Sequence, residues 1–216
     1  MDSKTNNRMV LMLVAGLPLT MILGATWLWY FVVHGDLDLV GSLGTSNQGS
    51  LVQPPRQIAD VVLVQADGSP YVYGSDEPRW TMLVPSAGGS CDSVCENALY
   101  LTRQIHVALG KDFNRLRRVY ASETIPNDTV LEFQQLSDQR PAPESFQQLL
   151  SQEHKGMQAL VLPPGGFQQL FGEAAEDAST WYLVDPSGWI MMSYNKDITY
   201  KDVISDLKFL LKNSGG

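Results

Sequence analysis

Residues 10–33 run for 24 positions, VLMLVAGLPLTMILGATWLWYFVV, without one charged side chain. As a helix rising ~1.5 Å per residue the run would span roughly 36 Å, enough to cross a bilayer with some tilt. Pro18 falls inside it and is tolerated in a membrane helix, where neighbouring groups can re-satisfy the freed backbone. Trp27, Trp29 and Tyr30 crowd its C-terminal end, as an interfacial aromatic belt would. Lys4 and Arg8 precede the run, Asp36 and Asp38 follow it, and no Lys or Arg returns before Arg56. The positive-inside rule therefore expects a cytoplasmic N-terminus, with everything after about residue 34 outside. The run exceeds a typical signal-peptide core and no Ala-x-Ala site follows, so an uncleaved anchor is expected. The N-terminal tail lacks Arg- and Ser-rich transit-peptide character. The expected setting is thus the bacterial inner membrane, single-pass, with the soluble domain in the periplasm.

This reading divides the chain into a cytoplasmic tail (1–9), a transmembrane helix (10–33), a flexible stalk (34–55) rich in Gly, Ser, Asn and Gln, and one extracytoplasmic domain (56–213). Beyond Val33 there are 13 Lys and Arg against 22 Asp and Glu. So acidic a domain argues against a nucleic-acid partner and against broad contact with anionic lipid. The membrane contact is expected to be the single helix.

Within the domain, Asp60–Gln65 and Tyr71–Tyr73 flank Asp67-Gly68, a hairpin signal. Trp80–Val84 (WTMLV) has no polar face and suits a buried central strand, ended by turn residues from Pro85 to Gly89. Val94, Ala98, Leu101, Ile105 and Ala108 recur at helical spacing, with Ser93 and Glu96 as a capping box and Gly110 as a stop. Leu116–Ala121 reads as a strand, Ser145–His154 as a helix and Gln158–Leu162 as a strand. Ser179–Val184 and Trp189–Tyr194 flank Asp185-Pro186-Ser187-Gly188 and make an antiparallel hairpin. A last helix carries Val203, Leu207, Leu210 and Leu211 behind Thr199 as N-cap.

Cys91 and Cys95 are the only thiols of the 216 residues. A pair four positions apart can close one disulfide or hold one soft metal ion. It sits where a strand ends and a helix begins, and a helix N-terminus favours a thiolate. Cys91, nearer that start, is expected to be the reactive sulfur and Cys95 the resolving one. A purely structural bridge is geometrically allowed, because helical positions i and i+4 lie about 6 Å apart. It would close too small a loop to stabilise much. No phosphate-binding loop, dinucleotide fingerprint, nucleophile elbow or His-rich zinc motif occurs elsewhere.

The order strand, helix opened by a cysteine pair, strand, helix, antiparallel hairpin, terminal helix is thioredoxin-like. With the membrane anchor, the early hairpin, Leu-Val-Pro…Cys-x-x-x-Cys and the distal Tyr182–Gly188 segment, the chain resembles the Sco/SenC-type copper proteins of cytochrome c oxidase assembly. The expected fold class is α/β: a thioredoxin-like fold with an N-terminal β-hairpin extension, preceded by a single transmembrane helix. The resemblance implies that Cys91 and Cys95 bind copper as Cu(I), together with a histidine just before the distal hairpin. Counting back from that hairpin reaches Asp177, so the third ligand is unknown, and Glu96 stands where the family has proline. His34, His106, His154, Met191 and Met192 are the other donors available. The implied partner is a respiratory oxidase subunit or another copper/thiol assembly protein, the implied role copper-site maturation by thiol redox, Cu(I) binding or both. Two other readings stand beside it: a periplasmic thiol–disulfide oxidoreductase without metal, which would make the chain an enzyme, and a non-catalytic docking module.

Overall fold

The computed structural model of the chain describes residues 3–33, 47–75 and 77–213, in two compact units divided at Ser46. The first holds one helix, α1 (Ser3–Val33), with Pro18 inside it. Its segment Met12–Tyr30 has a mean hydropathy of 1.6 and no buried share, and is long and apolar enough to cross a membrane. Thr20 and Thr26 donate their hydroxyls back to the carbonyls of Leu17 and Ile22. Those bonds satisfy both threonine hydroxyls within the helix itself, as an apolar surrounding would require.

The second unit is a mixed eight-stranded sheet. Its strands are β1 (Ser50–Gln57), β2 (Leu63–Gln65), β3 (Pro70–Tyr71), β4 (Trp80–Ser86), β6 (Leu116–Ser122), β8 (Gln158–Val161), β9 (Trp181–Val184) and β10 (Trp189–Tyr194), in the order β1-β10-β9-β4-β6-β8-β2-β3. The short strands β5 (Ser90–Cys91) and β7 (Val130–Leu131) form a separate parallel pair. The helices are α2 (Ser93–Ala108), a single turn α3 (Phe146–Gln148) that widens into a π turn (Leu149–Glu153), α4 (Gly166–Leu170), α5 (Gly172–Glu176) and α6 (Tyr200–Asn213).

Strands β4, β6 and β8 run parallel; β9 pairs antiparallel with β4, and β10 pairs antiparallel with β9. Every residue of β4 is buried, as a central strand without a polar face requires. Alternation then sorts its side chains. Trp80, Met82 and Val84 join Leu99, Ile105, Val203 and Leu207 under α2 and α6. Leu83 joins Phe167, Leu170 and Phe171 under α4 on the opposite face. This is the α/β thioredoxin-like layering expected, with the β2–β3 hairpin as the extension on the β8 edge.

Three expectations are corrected. The stalk was expected to reach residue 55, yet β1 begins at Ser50 and pairs antiparallel with β10, its register shifting around Pro54 and Pro55. Proline is accommodated there because an edge strand leaves one row of donors unpaired. The folded unit therefore starts at Asn47, and the remainder of the expected stalk lies outside the described residues. The buried face of α2 is rotated: Glu96, Ala98, Leu99, Thr102 and Ile105 point inward, whereas Val94 and Ala108 are exposed. Thr102 can be buried because its hydroxyl donates to the carbonyls of Ala98 and Leu99. The strand ended by Pro85 in the sequence reading continues to Ser86, in register with Ser122.

Candidate functional site

Strand β4 delivers the chain to the top of the sheet, and Ala87–Gly89 turn it into β5. Cys91 closes β5, and the next residue, Asp92, is the N-cap of α2. Its carboxylate accepts from the backbone N–H groups of Val94 (3.0 Å) and Cys95 (2.9 Å). The expected Ser93–Glu96 capping box is thus replaced by an Asp cap one residue earlier, a signal the sequence did carry, since Asp ranks with the best N-caps. The cap fixes Cys95 in the first helical turn, and Cys91 and Cys95 form a disulfide with Cα atoms 5.3 Å apart.

The two sulfurs have unlike surroundings. Cys91 is fully buried, whereas Cys95 is half-buried. Cys91 pairs with Leu131 of β7, and its carbonyl accepts from the N–H of Glu132 at 2.9 Å. Leu131, Phe133 and Leu136 pack in the same apolar cluster. Cys95 instead lines a cavity of about 180 Å³, together with Asp92, Ser86, Phe167, Ala174 and Ala178. A second, mainly apolar cavity of about 320 Å³ borders the same first turn through Ser93 and Val94, with Trp181 and Lys196 across it. Of the pair, Cys95 is the residue that borders a cavity, whereas the sequence reading had put the reactive sulfur at Cys91.

Among the described residues the candidate third ligands do not converge on the pair. The segment before β9 does reach the Cys95 cavity, but through Ala178. Asp177 lines a different cavity with Glu173 and Glu176. Its carboxylate accepts from the hydroxyl (2.7 Å) and N–H (3.0 Å) of Ser179, which hold its pKa below the usual carboxylate range. Asp177 is a turn acid. His106 stacks on Phe113 at 3.8 Å and shares a 2.9 Å hydrogen bond with that residue's carbonyl; burial lowers its pKa. His154 is buried with Nδ1 3.4 Å from the Arg118 guanidinium, and burial followed by the charges of Arg118 and Arg103 pushes its pKa down to about 3. Met192 is core and Met191 packs against it; His34 lies outside the described residues. Among the described residues no group of three His, Cys, Asp or Glu side chains is placed to hold a metal ion. A three-donor copper centre of the implied kind does not fit this donor set.

Glu96 escaped the sequence reading as a site residue. It is buried, and its carboxylate accepts from both the N–H and the hydroxyl of Ser137. The two residues are 41 positions apart, so no local pattern could announce the contact.

A parallel β–α–β unit with a cysteine pair at the helix start, completed by an antiparallel hairpin and a terminal helix, defines a thioredoxin-like domain, here on a chain with an apolar N-terminal helix. Residues 80–214 match the family described as "Transmembrane-like, thioredoxin-like, C-terminal domain", and the chain belongs to that family. No curated protein sequence matches it. Among solved structures, yeast Sco1 with copper bound is 14% identical with a TM-score of 0.52, the match covering 80% of this chain and 97% of that one. Yeast Sco1 in a second structure is likewise 14% identical, with a TM-score of 0.53 over 79% and 99% of the two chains. At this identity the likeness is one of fold, and the Sco-type resemblance read from the sequence holds at that level.

Proposed function

We propose that this chain is a membrane-anchored thiol–disulfide exchange protein of the periplasmic face of a bacterial inner membrane, acting on cysteines of a respiratory oxidase subunit during copper-site maturation. One observation carries the exchange chemistry: the disulfide joins a sealed sulfur to one open at a cavity lip. A bridge over so short a loop has little stabilising purpose. The oxidase and the compartment rest on the Sco/SenC resemblance, the apolar helix and the charge bias around it.

The step balances with a partner dithiol. One partner thiolate attacks Sγ of Cys95; the new bond joins partner sulfur to Cys95, and the Cys91–Cys95 bond breaks with its electron pair on Cys91. The partner's second thiolate then attacks its own sulfur in the mixed disulfide and releases the Cys95 thiolate. The partner is oxidised to a disulfide, and the pair is reduced and takes up the two protons. Run backwards, the reduced pair reduces a partner disulfide, again through Cys95. Metal-free exchange is favoured over copper carriage because a reduced pair offers two thiolates and, among the described residues, no third donor converges on them.

The test uses glutathione disulfide and the reduced single-cysteine variants. Cys91→Ser, which keeps Cys95, is expected to form the mixed disulfide at least about tenfold faster than Cys95→Ser, since exchange rates follow access to the attacking thiolate. Equal rates, or a faster Cys95→Ser variant, would reject Cys95 as the exchanging sulfur.

A further inference from the structure

One segment packs beside Cys91 from outside the main sheet. Residues 130–141 start in β7, where Leu131 is in register with Cys91, and turn back in a tight hairpin. In it Leu136 N–H donates to the Arg140 carbonyl (2.8 Å), Gln139 adopts φ +68°, and Gln135 bridges Pro141. Its underside carries Leu131, Phe133 and Leu136 into the cluster that contains Cys91. Its first residues are laced to the cysteine strand itself, Val130 N–H to the Gly89 carbonyl at 2.8 Å and Glu132 N–H to that of Cys91. The outer turn is held by charge: Arg140 pairs with Asp138 and Glu153, and Arg103 of α2 reaches Glu153 at 3.0 Å. Those pairs are partly exposed and individually weak. The cysteine helix also holds the turn through the buried Glu96, whose carboxylate takes both donors of Ser137, with Asn97 donating to the same hydroxyl at 3.2 Å.

We propose that Glu96 is a positioning residue that clasps the 130–141 segment over Cys91 and so decides which sulfur exchanges. With the clasp closed, an incoming thiolate reaches only Cys95, and the Cys91 thiolate it displaces stays sheltered, free to re-form the bridge but not to be captured by a second partner. Glu96 follows Cys95 directly, so the group that governs access rides on the same helical turn as the sulfur it leaves open. A carboxylate suits the task because it can accept two hydrogen bonds at once, and losing it would release both donors of Ser137 from the helix. The assignment deepens the exchange reading, since selectivity between sulfurs matters only where they react.

The test requires no partner. The full chain in detergent micelles is reduced and pulsed with iodoacetamide, and alkylation of each cysteine is followed by peptide mass spectrometry. In the native chain Cys95 is expected to react about tenfold or more faster than Cys91. In Glu96→Ala the Cys91 rate is expected to rise about tenfold while that of Cys95 changes less than about twofold, collapsing the selectivity. Glu96→Gln, which retains an acceptor oxygen for Ser137, is expected to restore most of the native ratio. A folded Glu96→Ala chain with the native ratio, or a native chain in which Cys91 reacts as fast as Cys95, would overturn the proposal. If Glu96→Ala does not fold, Ser137→Ala removes one hydroxyl from the clasp. It is expected to raise Cys91 labelling about threefold, and no rise would be equally fatal. Failure of the exchange reading looks different: selective alkylation would persist while glutathione disulfide left the pair untouched.

Discussion

Asp92 acts on the neighbouring sulfur in two opposed ways. It caps α2, and so places Cys95 in the positive field of the helix N-terminus, which favours a thiolate. It also sets a negative charge against the same turn, which disfavours one. Asp92→Asn keeps a side-chain acceptor for the cap, because Asn and Asp are nearly equal N-caps, and removes the charge. The reduced Cys95 of that variant is expected to be alkylated about twofold or more faster at neutral pH. Iodoacetamide labelling followed by peptide mass spectrometry measures this, and an unchanged or lower rate would show that the cap's charge does not govern the sulfur. Asp92 was within reach of the sequence, being a short polar residue just before an apolar-periodic run. Glu96 was not, because burial and a distant partner turn an ordinary solvated glutamate into a clasp.

Elements differ in how plainly the sequence announces them, and the difference follows the range of the forces that make them. Strand β4, the Asp185–Gly188 turn and the Thr199–Asp202 cap of α6 are local: an apolar run, a turn residue set, and a hydroxyl and carboxylate three positions apart that bond each other. Strand β1 is not. Ser50–Gln57 contains two prolines and polar residues and reads as linker, and only pairing with β10 makes it a strand. A buried latch secures it. The carboxylate of Asp206 on α6 accepts from the N–H groups of Gln48 and Gly49 and from the Tyr194 hydroxyl, all near 3 Å. Burial and that carboxylate raise the Tyr194 pKa, which keeps the hydroxyl a donor. Asp206→Ala is expected to cost about 2–3 kcal/mol, since it strands buried donors. Gly49→Ala is expected to cost about 1–3 kcal/mol by overpacking, because its Cβ would lie 2.5 Å from the Tyr194 ring. Urea unfolding of the chain from Asn47 onward measures both; losses below about 0.5 kcal/mol, the size of an ordinary surface substitution, would remove the latch.

For the molecule as a whole, buried histidine sets the acid limit before the carboxylates do. His154 is neutral in the fold with a pKa of about 3, against an ordinary value of 6.5 in the unfolded chain. The stability tied to its neutrality is complete above pH 6.5. It is lost as pH falls toward 3, because the unfolded chain takes up a proton that the folded one refuses. Between pH 6.5 and 5 that loss is expected to reach about 2 kcal/mol, with His106 adding in the same direction. The lowered carboxylates, Glu153 and Glu173 among them, act with the same sign only below their own unfolded values. His154→Gln is therefore expected to flatten the urea midpoint over pH 6.5 to 5; a slope equal to the native one would exclude His154 as its source. At this scale the sequence showed the long apolar helix, the layered α/β order and the cysteine pair, each carried by periodicity or spacing. It could not show the division of the pair into sealed and open sulfurs, which depends on a segment folding back from 40 residues away.

The proposed exchange rests on that division, and the pair's reduction potential tests it most directly. Equilibrated against glutathione redox buffers, the Cys91–Cys95 pair is expected to lie above about −300 mV, in the range of disulfides that exchange with partners. A value well below about −300 mV would mark the bridge as a structural staple.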